Sequence, residues 1–552
     1  MTASRSEGLL AIAVALSHLG CSDGRTMSQG TTVAVQPPAA DVQYAGTVDF
    51  QAAVTGAIDT GVLWSVREVG GGSVSTGGLY TAPSAAGTFH VVAVSRAEPT
   101  AQGDASVTVV PLSTFTPNLT LDATTTSQTI DGMGTNINVE SWRGGELTPA
   151  LDLLVDVDGV SLLRVARDPM DWVHDEALIP KLHALDPATL TSVYEAPPMQ
   201  DLWSTLAYLN GKGLRGAQLA VSFMGWTPTW AGGSGAYGQV SAVTPAKNQS
   251  VATMIASLVY YGRAVKGLDF TVLAPFNEPD WNGLEGPQIG ASQLATLYGL
   301  IAGELDLMGQ TAVRLAGPDV SSGVSGAGSY VTAIRGNATA SARTDHYTFH
   351  TYSGATSPGA SYAARDWWLT ETSVWCGSCD QNGAPGGGEW SFASDNGDLL
   401  IQNLLNGLPA VLVWEGYDSF WYHHDSYSTW GLLAYSTSTG KYAARKRFYV
   451  NAQVTRFVRP GMKRVAVTAP AGVLAAGFVD AARGKIAVVG HNTGTAAVTV
   501  RGQLAGAPTV ASLALYQTDS GAKSLTREAD VAVLDGTFTV TVPADTFFSL
   551  SN

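Results

Sequence analysis

From about residue 126 to 458 the chain alternates short apolar, β-prone runs with longer helix-like ones. The short runs fall at 134–139, 161–166, 218–223, 270–275, 312–316, 346–350, 367–371 and 410–414. Helix-like runs between or after them include 249–264, 292–307, 398–405 and 441–457. Strand and helix in regular alternation mean a parallel sheet wrapped by helices, and eight such strands predict a (β/α)8 barrel over 126–458.

On both sides of this stretch the pattern becomes one of short alternating strands. Over 32–113, runs at 47–54, 62–66, 89–95 and 105–110 are separated by Gly, Pro and Ser clusters, which predicts a β-sandwich. Trp64 and the run Gly78-Leu79-Tyr80-Thr81-Ala82-Pro83 resemble bacterial immunoglobulin-like domains. Without a cysteine pair, that unit has to rest on packing alone; spacer and binding module are its two readings. Another β segment spans 119–130. The last 92 or so residues are β-rich again, with runs at 473–479, 485–491, 497–501, 511–516 and 536–542 and an Asp535-Gly536 hairpin signal.

Residues 1–21 carry Arg5, an apolar run at 9–16 and then Leu19-Gly20-Cys21, the layout of a bacterial export signal. The run is too short to cross a bilayer. Cys21 resembles a lipoprotein attachment site, although His18 stands where a small aliphatic residue is expected. A lipid anchor at Cys21 and an unlipidated secreted chain are both open, and 22–31 reads as a tether.

Composition narrows the partners. The 552 residues are 45% hydrophobic and 14% charged, with a net charge of -15. Such a balance fits globular units and argues against nucleic acid or an anionic membrane surface as partner.

The candidate chemistry sits where two of the barrel strands end. Thr271 to Trp281 reads TVLAPFNEPDW, and Pro279 cannot continue a sheet, so the fourth strand surfaces at Glu278. Asp366 to Ser373 reads DWWLTETS, so the seventh ends at Glu371. Carboxyl-end side chains converge at a barrel mouth. Two glutamates meeting there suit glycosidic bond cleavage, in which one holds a proton for the leaving oxygen and the other stays ionised.

The Asn-Glu-Pro and Thr-Glu strand ends, in this order, resemble those of clan A retaining glycoside hydrolases. Family 30 and its relatives are the best likeness, from about residue 119 to the C-terminus. The resemblance implies Glu278 as acid/base and Glu371 as nucleophile, roughly 5 to 5.5 Å apart. It implies Arg164 beside the nucleophile, Asn277 on the sugar 2-hydroxyl, Tyr352 donating to Glu371, and Trp414 under the reacting sugar; His350 falls with Tyr352 at the sixth strand, as a substrate-binding residue or a satisfied core histidine. Trp226, Trp281 and Trp375 stand past strand ends, where a ring can stack on a pyranose. In family 30 the strand before the barrel joins the C-terminal sandwich, which would put 114–125 with 459–552 in one side domain.

Cys376 and Cys379 bracket two residues just after the nucleophile strand. In an exported chain they are expected to form a small disulfide-closed loop, and two cysteines are too few for a zinc site. His423-His424-Asp425 looks metal-like but has no partner motif, so no metal and no cofactor is assigned. The expected partner is a neutral or weakly charged polysaccharide or oligosaccharide. The competing class is a catalytically inactive carbohydrate-binding surface protein.

Overall fold

The structure is a computed structural model that describes residues 30–111, 116–281, 283–357, 366–383 and 388–552. The export signal at 1–21, Cys21 and most of the 22–31 tether lie outside the described residues.

Eight parallel strands close into a barrel in chain order. They are β1 (Gly132–Asn138), β2 (Leu162–Arg167), β3 (Leu219–Phe223), β4 (Val272–Ala274), β5 (Arg314–Ala316), β6 (Thr344–Thr351), β7 (Asp366–Thr372) and β8 (Ala410–Val413). All residues of β1, β2, β3, β4 and β8 are buried, as expected of strands covered on both faces. Inside, Leu162, Ala220, Val272, Ala316, Trp368, Ala410 and Leu412 form one apolar cluster that mixes small and large side chains. Trp368 keeps its indole N–H satisfied by Asp131 at 2.8 Å. At Gly134 a Cβ would stand 1.7 Å from the Leu162 carbonyl oxygen, so only glycine lets β1 lie this close to β2. The helices pack their apolar faces onto the outer surface of the barrel and share its large core.

Two helical expectations need correction. Residues 441–444 are not helical: Lys441–Ala444 is a strand paired with Leu433–Ser436, and the helix is Lys446–Thr455. The reason is aromatic packing across the pair, with Tyr442 set 4.9 Å from Tyr435 and 5.5 Å from Tyr417, ring to ring. The helix expected at 398–405 begins earlier, as Glu389–Leu405.

The strand Leu119–Thr129 pairs antiparallel with Lys463–Thr468 and parallel with Val498–Ala505. It thus lies inside a 10-stranded C-terminal sheet system whose core includes Leu121, Val488, Phe538 and Phe548. Asp535 and Gly536 both take positive φ (49° and 75°) in a tight turn between Leu534 and Thr537, which bond each other's backbone.

The N-terminal unit has small sheets of four, three and two strands around Phe50 and Tyr80, with Trp64 packed at the edge of that core. The run expected at 47–54 is broken at Phe50. Thr47–Asp49 pairs with Leu79–Thr81, whereas Gln51–Thr55 pairs with Thr32–Gln36, and Phe50 is fully buried at the crossing. Buried Gln43 exchanges two hydrogen bonds with Thr537 of the C-terminal sheet.

Candidate active site

Glu278 lies four residues past the end of β4, where Pro279 bars further pairing. Its backbone is left-handed (φ 41°) and its N–H donates to the Asp319 carbonyl at 2.9 Å. Such a conformation costs a glutamate free energy, and it turns the side chain into the barrel mouth. Glu371 sits in β7, in register with His350 of β6. A carboxylate oxygen of Glu278, one of Glu371 and a ring nitrogen of His350 all lie within 4.8 Å of one another. Residues 93 positions apart in sequence therefore face one point.

Arg164 organises the floor. From β2 its Nη1 donates to Glu371 Oε1 (2.7 Å) and Asn136 Oδ1 (2.9 Å), its Nη2 to Asn277 Oδ1 (2.6 Å), and its Nε to Asp319 Oδ2 (3.1 Å). The guanidinium's planar fork suits this: no ammonium could satisfy four acceptors in fixed directions. Tyr352 Oη donates to the other oxygen of Glu371 at 2.9 Å. His350 Nδ1 bonds Glu278 Oε1 at 2.9 Å and stands 3.4 Å from Glu371 Oε2, with its Nε2 3.6 Å from Asp319 Oδ1.

Three carboxyl groups, of Asp319, Glu278 and Glu371, thus face two cations, Arg164 and His350, so a single shared proton makes the buried cluster neutral. Burial puts that proton on Glu278, pushing it up to about 7 against the pull of His350. For His350, burial alone would lower the ring, but Glu371, Asp319 and Glu278 around it raise it to about 10. Asp319 is held well below the usual carboxylate range despite its burial, chiefly by Arg164 and then His350.

Above the cluster opens a cavity of about 570 Å3 lined by both glutamates, Asn277 and Tyr352. Trp281, Trp375, Trp414 and Trp430 are in its walls. Trp281 and Trp375 are 51% and 65% exposed, whereas Trp414 is buried and stacked on Trp421 at 5.0 Å. Trp226 is not among the residues lining this cavity: its indole N–H reaches Asp171 Oδ2 at 3.1 Å. Cys376 and Cys379 are joined by a disulfide, and Asp380, the next residue, stands in the cavity wall.

Four polar residues here were not singled out from the sequence. Asp319 follows β5 and Asn136 lies in β1, so asking what stands at the end of every barrel strand would have found Asp319. Glu285 and Asp380, by contrast, come from loops whose course no periodicity reveals.

No family model matches the chain. Among solved structures it is similar to a family 30 endoxylanase from Clostridium papyrosolvens (20% identity, TM-score 0.58, covering 79% of this chain and 99% of that one). It is also similar to a family 30 subfamily 8 xylanase from Clostridium acetobutylicum (18%, 0.60, 79% and 99%) and to an endo-β1,6-glucanase (15%, 0.56, 80% and 94%). The barrel and its attached C-terminal β-domain thus share the fold of clan A glycoside hydrolases of family 30.

Proposed function

We propose that the protein is an exported retaining β-glycoside hydrolase that cleaves a neutral polysaccharide or oligosaccharide. The observation that carries this reading is the approach of the Glu278 and Glu371 carboxylates to within 4.8 Å at the barrel mouth. A retaining pair needs roughly 5 to 5.5 Å between carboxyl groups, whereas an inverting pair needs about 6.5 to 9.5 Å to admit a water. Glu278 gives its proton to the glycosidic oxygen as the bond to C1 breaks, and Glu371 attacks C1 from the other side to form a glycosyl ester. Glu278, now a carboxylate, takes a proton from water, whose oxygen attacks C1 and frees Glu371. The product keeps the anomeric configuration of the substrate.

Arg164 and Tyr352 occupy one oxygen of Glu371 each, which fixes the nucleophile in line. Asn277 lines the cavity beside them, in reach of a sugar hydroxyl.

Charge selects among substrates. The described residues lining the cavity include Glu278, Glu285, Glu371 and Asp380 but no lysine or arginine. Nothing there offers a forked donor to a uronate, so neutral chains should be preferred over uronate-substituted ones by about tenfold or more in kcat/KM. A panel of xylan with and without uronate side groups, β-1,6-glucan and β-1,3-glucan, with product sizing, tests this. Equal or better cleavage of the acidic polymers would overturn the preference.

The pH profile tests the acid. Because Glu278 is useful while it holds its proton, the alkaline limb of kcat/KM should fall about tenfold per pH unit above about 7. His350 pulls Glu278 down, so His350→Gln should move that falling limb to higher pH. A limb that stays put, or moves down, counts against Glu278 as the proton donor.

A further inference from the structure

Beside the catalytic glutamates, the loop after β8 brings His423 and His424 against Glu285 of the loop after β4. Their ring centroids are 4.4 Å apart. Glu285 Oε2 stands 2.7 Å from His423 Nε2 and Oε1 stands 3.3 Å from His424 Nε2. One donor atom from each of the three residues falls within 4.8 Å of the other two. The partner that the His-His pair lacked in sequence therefore comes from 138 residues away.

Three further features fit a ligand set. His423 is only 4% exposed, yet its Nε2 makes no hydrogen bond, although Glu285 is near: the contact lacks hydrogen-bond geometry. Its other ring nitrogen, Nδ1, bonds Asp168 Oδ2 at 2.8 Å, and the same oxygen accepts the His423 backbone N–H at 3.2 Å. A carboxylate behind a histidine fixes the tautomer that leaves Nε2 free to coordinate. Finally, the Glu285 carbonyl oxygen accepts from Gly225 N–H (3.1 Å) and Asn277 Nδ2 (3.0 Å), which anchors the residue beside the catalytic strand end.

We propose that Glu285, His423 and His424 bind one divalent transition-metal ion of the zinc type at the rim of the sugar cavity. Two imidazoles and one carboxylate are borderline ligands that favour zinc or cobalt over calcium or magnesium. Ligand atoms around a tetrahedral zinc at 2.0–2.1 Å lie roughly 3.3 Å from one another, and the Glu285 oxygens stand 2.7 and 3.3 Å from the two imidazole nitrogens. Glu285 and His424 both line the cavity, so the ion stands in its wall. The ion ties the β4 loop to the β8 loop, beside the glutamate pair.

The test is titration of the chelator-treated full-length protein with Zn2+ and with Co2+, followed by calorimetry and by visible absorption. One equivalent is expected, with the intense visible bands of four-coordinate cobalt and no competition from Ca2+. His424→Ala and Glu285→Gln should each weaken binding at least tenfold while leaving the circular dichroism spectrum unchanged, and Asp168→Asn should weaken it about 10- to 100-fold. Zinc should raise the thermal midpoint of the wild type and not of the His424→Ala variant. No bound equivalent in the wild type, or binding undiminished in both folded ligand variants, would overturn the site and leave the three residues as an ion pair. None of these readouts needs glycoside turnover, so failure here is separable from failure of the hydrolase reading.

Discussion

Glu371→Ala should abolish hydrolysis of an aryl β-glycoside, lowering kcat by about 10^4-fold or more, because the variant has lost the carboxylate assigned to attack C1. Glu278→Ala should cost much less on a substrate with an activated aryl leaving group, which departs without protonation, and far more on a natural polysaccharide. Azide separates the two roles. In the Glu371 variant it takes the nucleophile's place, and a single displacement gives the glycosyl azide of opposite anomeric configuration. In the Glu278 variant it intercepts the glycosyl ester on Glu371, and the product retains configuration. Full activity in both variants would sink the assignment, and an inverted product from the wild type would exclude the ester.

The second large effect belongs to Arg164. It is fully buried, and Asp319 beside it is too. Arg164→Met leaves Asp319 and Glu371 with no guanidinium between them. Breaking a buried pair in this way costs about 3–5 kcal/mol, since the charge left behind has lost its solvent and its partner. The midpoint in guanidinium chloride should fall accordingly, and activity with it. Arg164→Lys keeps the charge but cannot reach Asn136, Asn277, Asp319 and Glu371 together, so it should recover much of the stability and little of the turnover. If the methionine variant is as stable as the wild type, the cluster is not held by its ion pairs.

How much of this was legible in the chain depends on what each feature is made of. All eight barrel strands could be read because they are short apolar runs, most of them separated by helix-like ones, and burial on both faces, complete in five of them, leaves little else for such a run to be. The two glutamates could be read because a proline or a polar turn stops the strand beside them. Tyr442 defeated the reading for a related reason: a tyrosine fits a helix face and a strand pair equally well, and only the rings of Tyr435 and Tyr417 decide between them. Asp319 stayed hidden because an aspartate after Gly317-Pro318 looks like any turn residue until Arg164 is seen against it. Glu285 is a stronger case still, since its meaning comes wholly from two histidines in a distant loop.

The strand Leu119–Thr129 is sewn between Lys463–Thr468 and Val498–Ala505, with Thr120 bonding Thr468 across 348 positions. A ribosome releases that strand long before either neighbour exists, so its sheet edge must wait unpaired while the whole barrel is made. The barrel cannot then be cut out as a portable catalytic module at residue 458: the excised piece would carry an open β-edge, ready to pair with other chains.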